Sequence, residues 1–365
     1  LAVTKQSPED SLTKVIERLL SRRILRLEEM RAGRNSRTFR VWCRDSRLYV
    51  AKLYHRSDWD KRDRLGTEVR ALRFLHANGI RDVPAVTAVD EAHHIIACEH
   101  IDGEKIPKDK VTEAHIDAAV DFLFRLSEIT NGDGADEIPP ASEACFSLSE
   151  MMRVVRMRRR RLDTVPVDSD VSREMEQFLE RVFEPAYREI RSQTRQCARE
   201  WDIPWDEPIG VNRMTLSPSD FGFHNAIIDR TARVVFLDFE YFGRDDPAKT
   251  IADFMLHPGM GLSDNLNRAF LHQALKAFHR IPQLAQRVEI AYPLCALKWV
   301  LLLLNEFVPS EWARREFADG RTSDLEKRKS NQLSKARRML ANIDNGLTAI
   351  VRDHREKDAG NDPTA

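Results

Sequence analysis

Cysteine is scarce in this chain, and its five copies (Cys43, Cys98, Cys145, Cys197 and Cys295) are scattered with no Cys-x-x-Cys pair. An odd, dispersed set argues against a disulfide framework and a structural zinc site, and favours a reducing compartment. Charge of one sign is lacking as well. Lys+Arg and Asp+Glu both total 58, so no global field steers the protein to nucleic acid or to a membrane surface. The opening Leu1-Ala-Val-Thr-Lys5 turns polar where a signal peptide would turn apolar, and the expected compartment is the cytoplasm. Long apolar runs are nearly absent. The strongest, Ala291 to Val308, carries Lys298, Asn305 and Glu306 and falls short of ~20 clean residues, so it reads as a buried helix rather than a membrane span. There is no internal repeat, no Gly-x-x-x-x-Gly-Lys-Ser/Thr loop, no Gly-x-Ser-x-Gly elbow and no His-Glu-x-x-His helix, which sets aside P-loop kinases, elbow-type hydrolases and that class of zinc enzyme.

What is present divides into two unlike parts. With 365 residues the chain can bury a large core as one big domain or two lobes. Ser7-Pro8-Glu9-Asp10 supplies an N-cap, a first-turn proline and acids, and Leu12, Ile16 and Leu19 follow at helical spacing. From Ile24 to Tyr54 the pattern is strand-like, with Asp45-Ser46 as the turn between Thr38–Cys43 and Leu48–Tyr54. Helical spacing returns from about Asp60 to Asn78 with Leu65, Val69, Leu72 and Leu75 on one face, and Gly79 stops it. Two short strands, Val86–Val89 and His94–Cys98, follow. Beyond Asp102-Gly103 nearly everything reads as helix except one hairpin. The expected division is residues 1–100 as a sheet-rich lobe, 101–354 as a helical lobe and 355–365 as a polar tail.

That hairpin, within 216–240, carries the chemistry. Leu216-Ser-Pro-Ser-Asp220-Phe-Gly-Phe-His-Asn225 runs into an apolar piece, Ala226–Ile228. After the Asp229-Arg-Thr turn, Val234–Leu237 delivers Asp238. Its two ends bring a carboxamide and a carboxylate together, with the Asp220 carboxylate on the loop in front. Such a set suits phosphoryl transfer from a magnesium nucleotide, with Asp220 orienting or deprotonating a hydroxyl and Asn225 and Asp238 holding metal ions.

The order of elements resembles the protein-kinase-like fold, in particular the aminoglycoside phosphotransferase and choline kinase group of small-molecule kinases. The resemblance implies an α+β architecture: a small antiparallel-sheet N-lobe and a larger, mainly helical C-lobe. It spans roughly Ile24 to Leu256. Val50-Ala51-Lys52 looks like the strand bearing the phosphate-binding lysine, and Glu68 on the next helix is its implied partner. Ala32–Thr38 takes the place of the phosphate-covering loop; with only one glycine it reads by itself as an ordinary hairpin turn, whereas the resemblance implies that the backbone N–H groups at Asn35 and Ser36 cradle phosphate. Cys98–Gly103 resembles the inter-lobe linker, whose Glu99 carbonyl and Ile101 amide are implied to read the adenine edge. ATP and Mg2+ are the implied cofactors, and a small-molecule hydroxyl compound the implied partner.

Two departures stand out. Pro218 sits where the family usually has a histidine, with His224 a candidate to compensate from the other side, and Glu240 follows Asp238-Phe239 where protein kinases have glycine. In Gly243–Lys249, Asp246 and Pro247 are expected to cap a helix running to Leu256. The run Arg156–Arg161 lacks interleaved aromatics, so it reads as a solvated helix face rather than a nucleic-acid site; a third role is attraction of an anionic substrate. No acidic cluster suggests a polycationic acceptor, and a sugar or related metabolite is the preferred substrate. Trp299, Asn305, Glu306 and Trp312 are either a sugar-lining set or packing and capping residues. Alternatives are an aminoglycoside or choline/amino-alcohol kinase, or a nucleotide-binding pseudokinase. A protein kinase is disfavoured because no Ala-Pro-Glu motif follows Asp238.

Overall fold

A computed structural model describes residues 8–30, 36–55, 62–309 and 325–343. The expected loop residue Asn35, Trp312 and the 355–365 tail lie outside that set. Helix α1 (Pro8–Leu20) precedes five antiparallel strands: β1 (Ile24–Met30), β2 (Ser36–Cys43), β3 (Leu48–Tyr54), β4 (Val86–Asp90) and β5 (Ile95–Glu99), in the order β1-β2-β3-β5-β4. The Asp45-Ser46 turn closes β2 onto β3, with Ser46 at φ 65°. Period-two alternation sorts the faces of this sheet. Phe39, Val41, Tyr49 and Ala51 pack against Val15, Ile16 and Leu20 of α1. Lys52 and Tyr54, two residues apart on β3, therefore share the opposite face.

That face receives α2 (Arg64–Ala77), which begins at Asp63, whose carboxylate accepts the Gly66 N–H at 2.9 Å. Leu65, Val69, Leu72 and Leu75 bury as the spacing predicts, and Glu68 is buried among them. Gly79 ends the element in a left-handed conformation, φ 82°, where any side chain would be strained.

The C-terminal part is built from α3 (Glu113–Glu128), α4 (Leu148–Leu162), α5 (Asp170–Phe178), α6 (Glu184–Glu200), α7 (Pro247–Leu256), α8 (Asp264–Ala277), α9 (Leu284–Leu303) and α10 (Leu325–Ala341). The expectation of a single hairpin here was too simple. The hairpin β8 (Ala226–Asp229) and β9 (Val234–Phe236) gains an edge strand, β6 (Gly103–Lys105), while β7 (Thr215–Ser217) pairs with β10 (Gly243–Asp245). Strands of three residues carry no readable periodicity; their partners across the fold define them. The apolar run becomes α9, a core helix buried over most of its length.

Aromatic packing sets the segment carrying Asp220 and Asp238 in place. Phe221, Phe236 and Phe239 surround Phe122 of α3, and Phe221 and Phe223 contact Phe254 of α7, which stacks on Phe270 of α8 at 3.9 Å. Beneath them lies a buried ionic layer. Asp246 caps α7 by accepting the Ala248 N–H, with Pro247 in the first turn as expected, and it accepts Arg287 Nε at 2.6 Å. Burial pushes the Asp246 carboxyl up and the Arg287 guanidinium opposes that. Replacing Arg287 by Met should cost about 3–5 kcal/mol in chemical denaturation, because it strands a buried charge. A loss under ~0.5 kcal/mol, the range of a surface change, would show the pair to be dispensable.

Candidate active site

Lys52 Nζ lies 2.7 Å from Glu68 Oε1 and 3.3 Å from Asp238 Oδ1, so three residues separated by up to 186 positions form one ionic group. Glu68 is bonded through both oxygens: Oε1 also accepts the Phe239 N–H at 3.3 Å, and Oε2 accepts the Tyr54 hydroxyl. Burial works against the Lys52 charge, but Asp238 and Glu68 outweigh it and raise its pKa, so the ammonium stays protonated. Burial, followed by the charges of Glu68, Glu240 and Asp238, pushes the Tyr54 hydroxyl well above its ordinary range and keeps it a donor. Behind this group Glu240 lies 3.6 Å from Arg64, both nearly inaccessible.

The loop carrying Asp220 leaves β7 through Pro218, whose carbonyl accepts the Asp220 N–H at 2.9 Å, and through Ser219 at φ 68°. Gly222 is required where it stands. Its φ is 157°, and a Cβ would approach Met260 Sδ to 2.4 Å. One turn later Asn225 Nδ2 donates to the Asp220 carbonyl at 3.0 Å and reaches Asp220 Oδ2 at 3.4 Å. The Leu237 N–H returns to the Asn225 carbonyl at 2.8 Å, which brings Asp238, at φ 69°, back beside the loop.

Two histidines converge on the other carboxylate oxygen. His224 Nε2 is 3.1 Å and His257 Nε2 3.2 Å from Asp220 Oδ1. Their rings stack at 3.8 Å and 6°, and Trp299 meets His257 edge-on at 4.7 Å. Burial opposes ionisation of Asp220, but the hydrogen bonds and charge of His224 and His257 hold its carboxyl well below the usual range. About a third of the Asp220 side chain remains accessible (35%), which leaves it open to a ligand.

Asp238 behaves differently. Burial raises its carboxyl, the charges of Glu68 and Asp220 add to that, and Lys52 offsets only part. A carboxylate crowded by others marks a place short of positive charge, and the nearby donors, Asp238 and the Asn225 carboxamide, are hard oxygens. That donor set fits a divalent cation such as Mg2+.

The structure thus joins Lys52, Glu68 and Asp238 in one cluster and Asp220 and Asn225 in an adjoining one. Ser36 opens β2 opposite Tyr54 and is buried. Glu99 ends β5, its carboxylate accepting the Ala85 N–H at 2.9 Å, and Ile101 lies in the connection to β6. Of the residues read as either sugar-lining or packing, Trp299 Nε1 donates to Asp253 at 2.9 Å and Glu306 pairs with Arg328 at 3.4 Å. In the arginine run Arg158 and Arg159 are held in ion pairs, with Glu143 and with Asp163 and Glu184, so part of that helix face is internal to the fold.

Tyr54 and His257 escaped sequence reasoning. Tyr54 had a signal, since it shares the Lys52 face by alternation. His257 had none, because only packing of the turn after α7 brings it to Asp220.

The phosphotransferase enzyme family model matches residues 26–287. The chain belongs to the phosphotransferase enzyme family. No curated protein matches it in a sequence search. Among solved structures, this phosphotransferase is similar to the choline kinase of Streptococcus pneumoniae (TM-score 0.59, 15% identity, covering 92% of this chain and 99% of that one). It is also similar to a spectinomycin phosphotransferase solved with ADP and spectinomycin (0.59, 11%, 88% and 97%) and to the ethanolamine kinase of Plasmodium vivax (0.53, 14%, 85% and 82%). These likenesses establish the two-lobed kinase-like fold, and they lend no support to a sugar as the preferred acceptor.

Because Tyr54 satisfies one oxygen of a buried carboxylate, Tyr54→Phe in this phosphotransferase should lose about 1–3 kcal/mol of stability in urea denaturation. An unchanged midpoint would show that the hydroxyl is not what holds Glu68.

Proposed function

We propose that this phosphotransferase is an ATP- and Mg2+-dependent kinase that phosphorylates a hydroxyl of a small molecule. The observation that carries the reading is the convergence of Lys52, Glu68 and Asp238 beside an open Asp220. Lys52, held by Glu68, presents a fixed point charge for nucleotide phosphates. Asn225 and Asp238 hold the metal through oxygen donors. When bound, magnesium–ATP supplies the phosphoryl group and the cation that neutralises its oxygens. Asp220 accepts the hydrogen bond of the acceptor hydroxyl and aims its oxygen. A loose transition state leaves that proton in place until late, so orientation is the larger part of this residue's task. The edge at Glu99 and Ile101 is suited to the adenine, and Ser36, with the preceding Asn35, to the phosphates.

The likeness to kinases named for choline, ethanolamine and spectinomycin supports amino alcohols and aminoglycosides as the acceptors to try first. All five cysteines are free thiols, which supports a reducing compartment such as the cytoplasm.

Substrate-dependent ADP release should appear in an acceptor panel only with magnesium. With the acceptor found, Asp220→Asn should lower kcat about 10²–10⁴-fold while nucleotide binding persists. Transfer at the wild-type rate in that variant would remove Asp220 from the mechanism. Magnesium-dependent ATP binding with no turnover across the panel would point instead to a nucleotide sensor.

A further inference from the structure

The kinase reading leaves one question of atoms open: which oxygen of Asp220 serves the acceptor, and what keeps it pointed there. Both histidine Nε2 atoms address Oδ1, whereas the carboxamide of Asn225, its main bond made to the Asp220 carbonyl, stands 3.4 Å from Oδ2. An ionised carboxylate oxygen has two lone-pair sites in its plane, and both ring nitrogens face Oδ1, His224 as a hydrogen-bond donor at 3.1 Å and His257 at ion-pair distance, 3.2 Å.

The tautomer of His257 is settled by its other nitrogen. The Gly259 N–H donates to His257 Nδ1 at 3.0 Å. An Nδ1 that accepts carries no proton, so in the neutral ring the proton sits on Nε2, facing Asp220. Gly259 approaches so closely that a Cβ there would lie 2.7 Å from His257 Nδ1 and 3.2 Å from His224 Cβ. The turn is tied down on both sides. Lys108 Nζ donates to the Pro258 carbonyl at 3.2 Å, and Met260 Sδ accepts the Phe223 N–H of the catalytic loop at 3.1 Å. His257 itself is clamped between the stacked ring of His224 and the edge-on ring of Trp299.

Asp220, His224 and His257 also have the donor count of a transition-metal site. Ligation through Nε2 requires a neutral imidazole to hold its proton on Nδ1 and donate it outward. At His257 that position already receives a proton from Gly259, so the ring is built to donate to the carboxylate and not to bind a metal.

We propose that His257 is a positioning residue, locked by the Gly259 amide as an Nε2–H donor, which with His224 holds Asp220 Oδ1 and reserves Oδ2 for the acceptor hydroxyl. It rests on the kinase reading for its consequence, though not for its tautomer. The pair supplies from the far side of the carboxylate the fixed geometry that Pro218, lacking a side-chain donor, cannot.

Two measurements test it. In nitrogen-15 histidine spectra of the free protein, His257 should show a protonated Nε2 and a bare Nδ1; a proton on Nδ1 would overturn the assignment whatever the protein catalyses. In kinetics, His257→Phe keeps a ring between His224 and Trp299 but removes the donor, and should lower kcat about 10–100-fold with the nucleotide KM unchanged. His257→Gln, whose amide nitrogen falls near the position of Nε2, should recover most of that loss. Wild-type kcat in the Phe variant, or a Gln variant as slow as Phe, would sink the proposal. The expected tautomer in a protein that turns over no acceptor would support the clamp while removing the kinase reading.

Discussion

The carboxylate of Glu68 is the joint on which the two halves of this protein turn. It sits on the helix packed under the sheet, and its oxygens take the Lys52 ammonium, the Tyr54 hydroxyl and the Phe239 amide. Two of those donors belong to β3 and the third to the backbone just past Asp238. One buried side chain therefore fixes the distance between the strand carrying the lysine and the segment carrying the second acidic residue. A buried carboxylate is tolerable only when its lone pairs are filled, and an interaction of that kind admits little slack. The lysine is consequently held before any ligand arrives, which is the arrangement electrostatic preorganisation requires.

The Asp220 side is braced by different means. Phe221, Phe223 and Phe239 anchor this segment in the helical core, while Asp246, Lys249 and Asp253 at α7 and Arg287 and Lys298 of α9 form an ionic layer between the two helices. Trp299 links this layer to the site, since its indole N–H bonds Asp253 and its ring meets His257. Apolar packing alone would leave the loop free to slide. The Trp299 indole bond to Asp253 and its edge-on contact with His257 tie the histidine side of the site to α7 and α9.

Much of this was legible locally. The face of α2 that buries Leu65 and Leu72, the Asp45-Ser46 turn, the cap at Asp246 and the hairpin between Asn225 and Asp238 follow from spacing and turn chemistry, which act over a few residues. Asn225 and Asp238 were recognisable from the two ends of the hairpin and Asp220 from the loop in front of it, whereas Lys52 and Glu68 were recognisable through the resemblance to the kinase-like family. The three-residue strands β6, β7 and β10 were not, because their hydrogen bonds are made to residues tens or hundreds of positions away. The reading of Trp299 and Glu306 as possible sugar contacts stood level with packing until their partners, Asp253 and Arg328, came into view.

The absence of a histidine at position 218, and His224 as a candidate to compensate, could be read from the chain, but His257 could not. His224 lies four residues from Asp220, near enough to suspect. His257 is 37 residues away, beyond β8, β9, β10 and α7, and its ring reaches the carboxylate because α7 packs on the phenylalanines of the loop and ends at Leu256, with His257 as its C-cap. Local pattern, together with the family resemblance, thus specified Lys52, Glu68, Asp220, Asn225 and Asp238 and the elements they ride on, but neither Tyr54 nor His257. Three-dimensional packing chose their partners, because hydrogen-bond direction and ring stacking depend on positions that no spacing along the chain encodes.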